Sequence, residues 1–65
     1  MENHIAAFRK QRRLSQEELA QAVGVSRQTI TSLEVGKYTA SLPLAFKLAR
    51  YFECTIEDLF IFEEA

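Results

Sequence analysis

An all-α chain of five short helices is what this sequence predicts, and three observations predict it. Apolar residues recur three and four positions apart rather than in alternation. Ser15, Ser26, Ser41 and Thr55 each stand just ahead of such a stretch, where a side-chain oxygen can accept from an orphan helix N–H. The two glycines and the single proline fall at the edges of these stretches and not within them.

The spacing predicts a first helix from about Asn3 or His4 to Arg12, with Ile5, Phe8 and the stem of Arg12 turned inward, after which Leu14 drops into the core. Ser15 caps a second helix. Glu18, three residues on, completes a capping box and places acids in the positive first turn, while Leu19, Ala20 and Val23 form the inward stripe. Ser26 caps a third helix with Ile30 and Leu33 inward and Val25 just ahead; Gly36 ends it, free to take the positive φ that suits a helix terminus. After a loop from Lys37 to Ala40, Ser41 caps a fourth helix. Pro43 in its first turn forfeits no hydrogen bond, and Ala45, Leu48, Ala49 and Phe52 share one face. Thr55 with Asp58 starts a fifth helix of one or two turns, Ile56 to about Phe60. No repeat, low-complexity tract or long linker divides the chain, so residues 1–65 read as one domain. The final Phe60-Ile61-Phe62 is too apolar to be left in water, so it packs back on the domain or meets a partner.

A chain of 65 residues buries only about 60% of the surface its unfolded form exposes, so a second subunit would add useful stability. Cys54 is alone and excludes an internal disulfide. His4, the one histidine, lies far along the chain from it, so no metal or other cofactor is expected and no small-molecule ligand is evident. Cys54 reads as small core filler rather than a redox sensor, and His4 as an exposed residue. No apolar run ahead of Arg9 to Arg13 resembles a signal peptide and none could span a bilayer, which leads us to expect a soluble, cytoplasmic protein with no membrane partner. The net charge of −1 is unevenly placed: residues 1–37 hold six basic side chains against four acidic ones, and residues 38–65 hold two against five. The basic half can face phosphate while the acidic half points away.

Ser15 to Val35 is the most informative segment. Ala20 is small where two helices would cross, Gly24 is flexible in the turn between them, and Val25, Ile30 and Leu33 brace the pair, which is the pattern of a helix-turn-helix. An ordinary helical hairpin that binds nothing is the competing reading. The outer side of the helix opened by Ser26 carries Arg27, Gln28, Thr29, Thr31 and Ser32. Arginine is bidentate to guanine and glutamine to adenine, so this row suits a DNA major groove. Thr29 and Thr31 add methyl or hydroxyl contacts. No nucleophile with a nearby base, carboxylate pair flanking a pocket or Gly-rich phosphate cradle is recognisable, so an enzyme is not expected.

These residues resemble the Cro and lambda-repressor type of helix-turn-helix regulators, also called the xenobiotic-response-element family. Leu14-Ser15-Gln16-Glu17-Glu18-Leu19-Ala20, Gly24-Val25-Ser26-Arg27-Gln28-Thr29-Ile30, Glu34-x-Gly36-Lys37-Tyr38 and Ser41-Leu42 through Ala49 match its pattern. The likeness covers nearly the whole chain and is nearest to short stand-alone dimeric members such as the cytolysin-type repressors. It implies a lambda-repressor-like five-helix DNA-binding domain and a homodimer on double-stranded operator DNA, with palindromic half-sites about one helical turn apart. Regulation as a repressor is the expectation, since no separate activating or sensing domain is seen. The resemblance implies that Arg27, Gln28 and Ser32, with Thr29 and Thr31, contact bases, while Gln16, Ser26, Lys37 and Tyr38 approach phosphates, which position a protein without reading sequence. It also implies a structural salt bridge between Arg9 and Glu34, leaving Lys10, Arg12 and Arg13 as a solvated, steering run. Ile56, Leu59, Phe60, Ile61 and Phe62 are then the dimer interface, with a short antiparallel pairing between the first residues and the segment around Phe62. Glu63 and Glu64 keep that tail soluble.

Three departures stand out. Val35 replaces an asparagine that bonds the DNA backbone in many relatives, Ala40 replaces a frequent proline, and Arg13 fills a turn position often given to glycine, which strains that turn. An antitoxin would use the same fold, although this chain shows no long toxin-wrapping tail. A protein-interaction module that has lost DNA binding is the other alternative.

Overall fold

The computed structural model describes residues 1–62. It contains α1 (Ile5–Gln11), α2 (Gln16–Val23), α3 (Arg27–Glu34), α4 (Leu42–Tyr51) and α5 (Ile56–Leu59), the expected all-helical order. The roles expected of Glu63 and Glu64 lie outside the described residues.

The helix starts follow from side-chain caps. Ser15 Oγ accepts from the Glu18 N–H at 3.0 Å and the Glu18 carboxylate accepts from the Ser15 N–H at 2.9 Å; Thr55 and Asp58 repeat this box at α5. Donation from the Ser15 and Thr55 backbone N–H groups holds both carboxyls below their ordinary pKa. Ser26 and Ser41 cap α3 and α4 by hydroxyl alone. α1 begins later than expected because His4 makes no side-chain cap; Asn3 Oδ1 accepts from the Ile5 N–H instead, at 3.1 Å.

Four helices end alike, on a left-handed residue whose successor bonds back across the last turn. Leu14 N–H reaches Arg9 O, Val25 reaches Ala20 O, Lys37 reaches Ser32 O and Cys54 reaches Ala49 O. Gly24 (φ 76°) and Gly36 (φ 81°) adopt this conformation without a steric penalty, whereas Arg13 and Glu53 (both φ 56°) carry a Cβ that makes it unfavourable by about 1 kcal/mol each. The strained turn at Arg13 was anticipated; Glu53 was not.

Ile5, Leu19, Ile30, Leu33, Leu48 and Leu59 are wholly enclosed, and Ala20 sits 1% exposed where α2 meets α3. Leu59 therefore belongs to this core. It has no surface to offer a partner, which removes it from the expected interface. Arg12 also departs from its expected role. Its guanidinium lies 5.6 Å from the Tyr51 ring centre and 5.4 Å from that of Phe52 while donating to Tyr51 O at 2.9 Å, so it pins α1 to α4 and is not merely a steering charge. Cys54 is half-buried, and burial pushes its thiol pKa up.

The chain's first residues pair with its last described ones. Asn3 and Phe60 form an isolated antiparallel bridge, flanked by bonds from Ile61 N–H to Glu2 O at 2.9 Å and from His4 N–H to Leu59 O at 2.7 Å. The terminal pairing thus centres on Phe60 and lies within one chain.

Candidate nucleic-acid interface

α3 buries Ile30 and Leu33 and turns Glu34 toward Arg9, and the helical repeat sets the other side chains on the outer side. Arg27, Gln28 and Thr31 are exposed, and Thr29 and Ser32 are half-buried beside them. The first turn of α3 contains no acid, in contrast to α2 and α5, so the positive end of its dipole is left unquenched toward an incoming anion. In place of a box-forming carboxylate stands Thr29, whose hydroxyl lies 3.0 Å from that of Ser26.

Beneath this face a chain of polar contacts joins three helices. Arg9 Nε donates to Glu34 Oε2 at 2.7 Å and Arg9 Nη2 donates to Glu34 Oε1 at 3.1 Å, a bidentate pair with side chains 13% and 7% exposed. Hydrogen bonding to Glu34 raises the arginine's already high pKa. Arg9 Nη1 also donates to Leu14 O, which secures the strained turn at Arg13. Glu34 Oε1 accepts from Gln16 Nε2 at 3.0 Å, and Gln16 Oε1 accepts from the Thr31 hydroxyl at 3.0 Å. Gln16 is thereby held with its oxygen engaged and one of its two amide hydrogens left for an outside acceptor such as a phosphate. Thr31, expected as a base contact, has its hydroxyl within reach of Gln16 Oε1 and Arg27 O, so it acts first as the residue that orients Gln16.

The far end of α3 is held by the N-terminal residues. Asn3 Nδ2 donates to Leu33 O at 2.7 Å, beside the bond that this carbonyl accepts from the Gly36 N–H, and the Met1 ammonium donates to Gly36 O at 3.0 Å just past the helix end. A side chain at Gly36 would require the same positive φ and bring its Cβ to 3.4 Å from Met1 O. The loop that follows leaves Lys37 exposed and Tyr38 45% exposed, the latter bordering Ser26, Gln28, Thr29 and Ser32.

A second surface lies on α4 and α5. Leu42 (65% exposed), Phe46 (50%) and Phe62 (74%) are open to solvent, and Ile56, Phe60 and Ile61 are half-buried. Met1, Ala40, Leu42, Ile56, Phe60 and Phe62 line a groove of about 300 Å³ there. Leu42 and Phe46 were missed from sequence. They are one turn apart, and a second apolar stripe out of phase with Ala45, Leu48 and Ala49 was the available signal. Among the described residues no cluster of three or more His, Cys or acidic side chains is placed to hold a metal ion, and no helix is long and apolar enough to cross a membrane.

Comparison with known proteins gives a consistent answer. The helix-turn-helix family profile matches residues 5–59. An uncharacterized HTH-type transcriptional regulator of Methanocaldococcus jannaschii is 52% identical, covering 98% of this chain and 97% of its own length. Another, of Archaeoglobus fulgidus, is 55% identical over 98% of this chain and 90% of its own. Among solved structures, the restriction-modification controller protein C.AhdI of Aeromonas hydrophila superposes with a TM-score of 0.78 at 32% identity, covering 86% of this chain and 85% of that one.

Proposed function

The chain belongs to the helix-turn-helix family of transcriptional regulators, and on that premise we propose that it is a sequence-specific repressor, binding a palindromic operator as a homodimer in the cytoplasm. The observation that carries this reading is the outward face of α3: Arg27 and Gln28 exposed, with Thr29 and Ser32 half-buried beside them, on a helix whose first turn holds no acid. Arg27 and Gln28 read base edges in the major groove, with Ser32 one turn further on. Gln16, Ser26 and Lys37 bond phosphates and set the register. Leu42, Phe46, Ile56, Phe60, Ile61 and Phe62 meet the same residues of a second copy, an isologous contact that sets two reading helices on twofold-related half-sites. In this plan the chain resembles dimeric repressors of the same fold, and occupancy of the operator is itself the repressing event.

A mobility-shift experiment with genomic fragments at two salt concentrations tests the proposal. A discrete subset of fragments should be retarded, with log affinity falling linearly against log salt as counterions return to the phosphates. Retardation of all fragments alike, or of none at low salt, overturns it.

A further inference from the structure

Building on that reading, we propose that Tyr38 is a base-reading residue and that the dent it closes beside α3 receives the C5-methyl group of a thymine. The sequence placed Tyr38 near phosphate. The structure places its ring on the reading face, where Ser26, Gln28, Thr29, Ser32 and Tyr38 line an open dent of about 260 Å³. Two of these are serines, which leave space, and the phenol ring and the Thr29 methyl supply carbon surface. The Ser26 and Thr29 hydroxyls lie 3.0 Å apart, and Ser26 Oγ also accepts from the Thr29 N–H at 3.2 Å, so the polar atoms on this side of the dent are engaged in capping α3. The dent therefore presents carbon surface beside polar atoms, and the carbon surface is what an apolar group on a base can meet. In the major groove the thymine methyl is the apolar group that a base pair displays. Gln28, on the rim, is then free to bond the neighbouring base.

The dent is also held in place before any DNA arrives. Lys37 N–H bonds Ser32 O at 3.1 Å, Gly36 N–H bonds Leu33 O at 3.0 Å, and Gly36 O accepts from the Met1 ammonium, so the backbone entering Tyr38 is tied to α3 at each preceding residue. A contact formed from a preorganised loop avoids the ordering cost that weakens contacts from mobile ones.

The experiment uses the whole chain and the preferred duplex recovered by selection from random sequences. Thymines are replaced singly by deoxyuridine, which deletes only the methyl. One position in each half-site should lose about four-fold in affinity, the equivalent of one buried methyl-sized group. Tyr38→Ala should bind the thymine and uracil forms of that position equally, and Tyr38→Phe should keep both the affinity and the contrast. Melting curves of both variants should match the parent, because the side chain is exposed. If Tyr38→Phe loses as much as Tyr38→Ala, the hydroxyl bonds phosphate and the proposal fails. It fails equally if no thymine shows a contrast that Tyr38→Ala abolishes. A chain with no preference among duplexes overturns the regulator reading as well; a clear preference without the methyl contrast overturns only the role of Tyr38.

Discussion

The outward faces of α3 and of the α4–α5 pair are built on equally buried inner stripes, yet they offer opposite chemistry to solvent. α3 presents small polar side chains with one cation, Arg27, and no acid in its first turn. α4 and α5 present Leu42, Phe46 and Ile56, with Phe62 beyond them and Glu57 alongside. On the proposed function this apolar surface meets a second copy, and the acidic excess of residues 38–65 disfavours phosphate as its partner. On that reading a single small core carries two separable surfaces: the inward stripes specify the fold, while each outward stripe is free to suit a different partner.

The comparison is broken most severely from beneath the α3 face. Replacing Arg9 by alanine leaves the Glu34 carboxylate buried without its counter-ion and removes the bond to Leu14 O, an expected loss of about 3–5 kcal/mol. A domain of this length has only about 3–10 kcal/mol in total, so calorimetry should show a collapsed or absent transition. The double substitution Arg9→Met with Glu34→Leu should recover most of that stability, since an apolar pair of similar volume replaces the ion pair. DNA affinity should stay low, because Gln16 has lost the Glu34 oxygen that orients it. Full recovery of affinity in the double variant would show that the network serves the fold alone.

Two further substitutions separate the faces. Phe46→Asp puts a charge into the apolar surface and should weaken self-association by about 2 kcal/mol, roughly thirty-fold, in sedimentation equilibrium. The base preference recovered by selection should be unchanged within each half-site. Gln28→Ala should do the reverse: sedimentation and melting stay as they were, and discrimination relaxes at one base position by about 1–3 kcal/mol. A Phe46→Asp protein that still sediments as the parent does, or a Gln28→Ala protein with intact preference, removes the corresponding face from the proposal.

Much of this was legible in the chain because caps and periodicities are local signals. Ser15, Ser26, Ser41 and Thr55 mark helix starts within a residue, and Gly36 marks an end. What escaped notice joins residues far apart through single bonds that leave no periodic trace. Asn3 reaching Leu33 O and Arg12 reaching Tyr51 O are bonds between side chains and distant carbonyls, which any sequence could or could not make. Thr31 reads as one more outward polar residue, and the bond from its hydroxyl to Gln16 joins two helices without any spacing that would announce it. Leu59 was misplaced for another reason. It sits in an apolar run with Phe60, Ile61 and Phe62, where period cannot assign an inside, and the antiparallel bridge at Phe60 settles which side faces the core.

The smallest expected effect tests why α3 differs from its neighbours. α2 and α5 carry Glu18 and Asp58 three residues after their caps, whereas α3 carries Thr29. Thr29→Glu should let a carboxylate accept from the Ser26 N–H and complete a third capping box, adding about 0.5 kcal/mol to stability at neutral pH. Like Glu18 and Asp58, such a carboxyl has a folded pKa below its unfolded one. Its contribution is therefore complete above the unfolded value near 4.3 and disappears as pH falls through the lower folded value. A melt at pH 7 should thus show the variant slightly above the parent, and one near pH 3 should show the two converging. DNA affinity should move the other way, because the new charge faces the phosphates that the open end of α3 attracts. If the variant gains stability and binds DNA unchanged, the missing acid in α3 has no bearing on function; a gain in one with a loss in the other shows a helix start left less stable than it could be for the sake of what it touches.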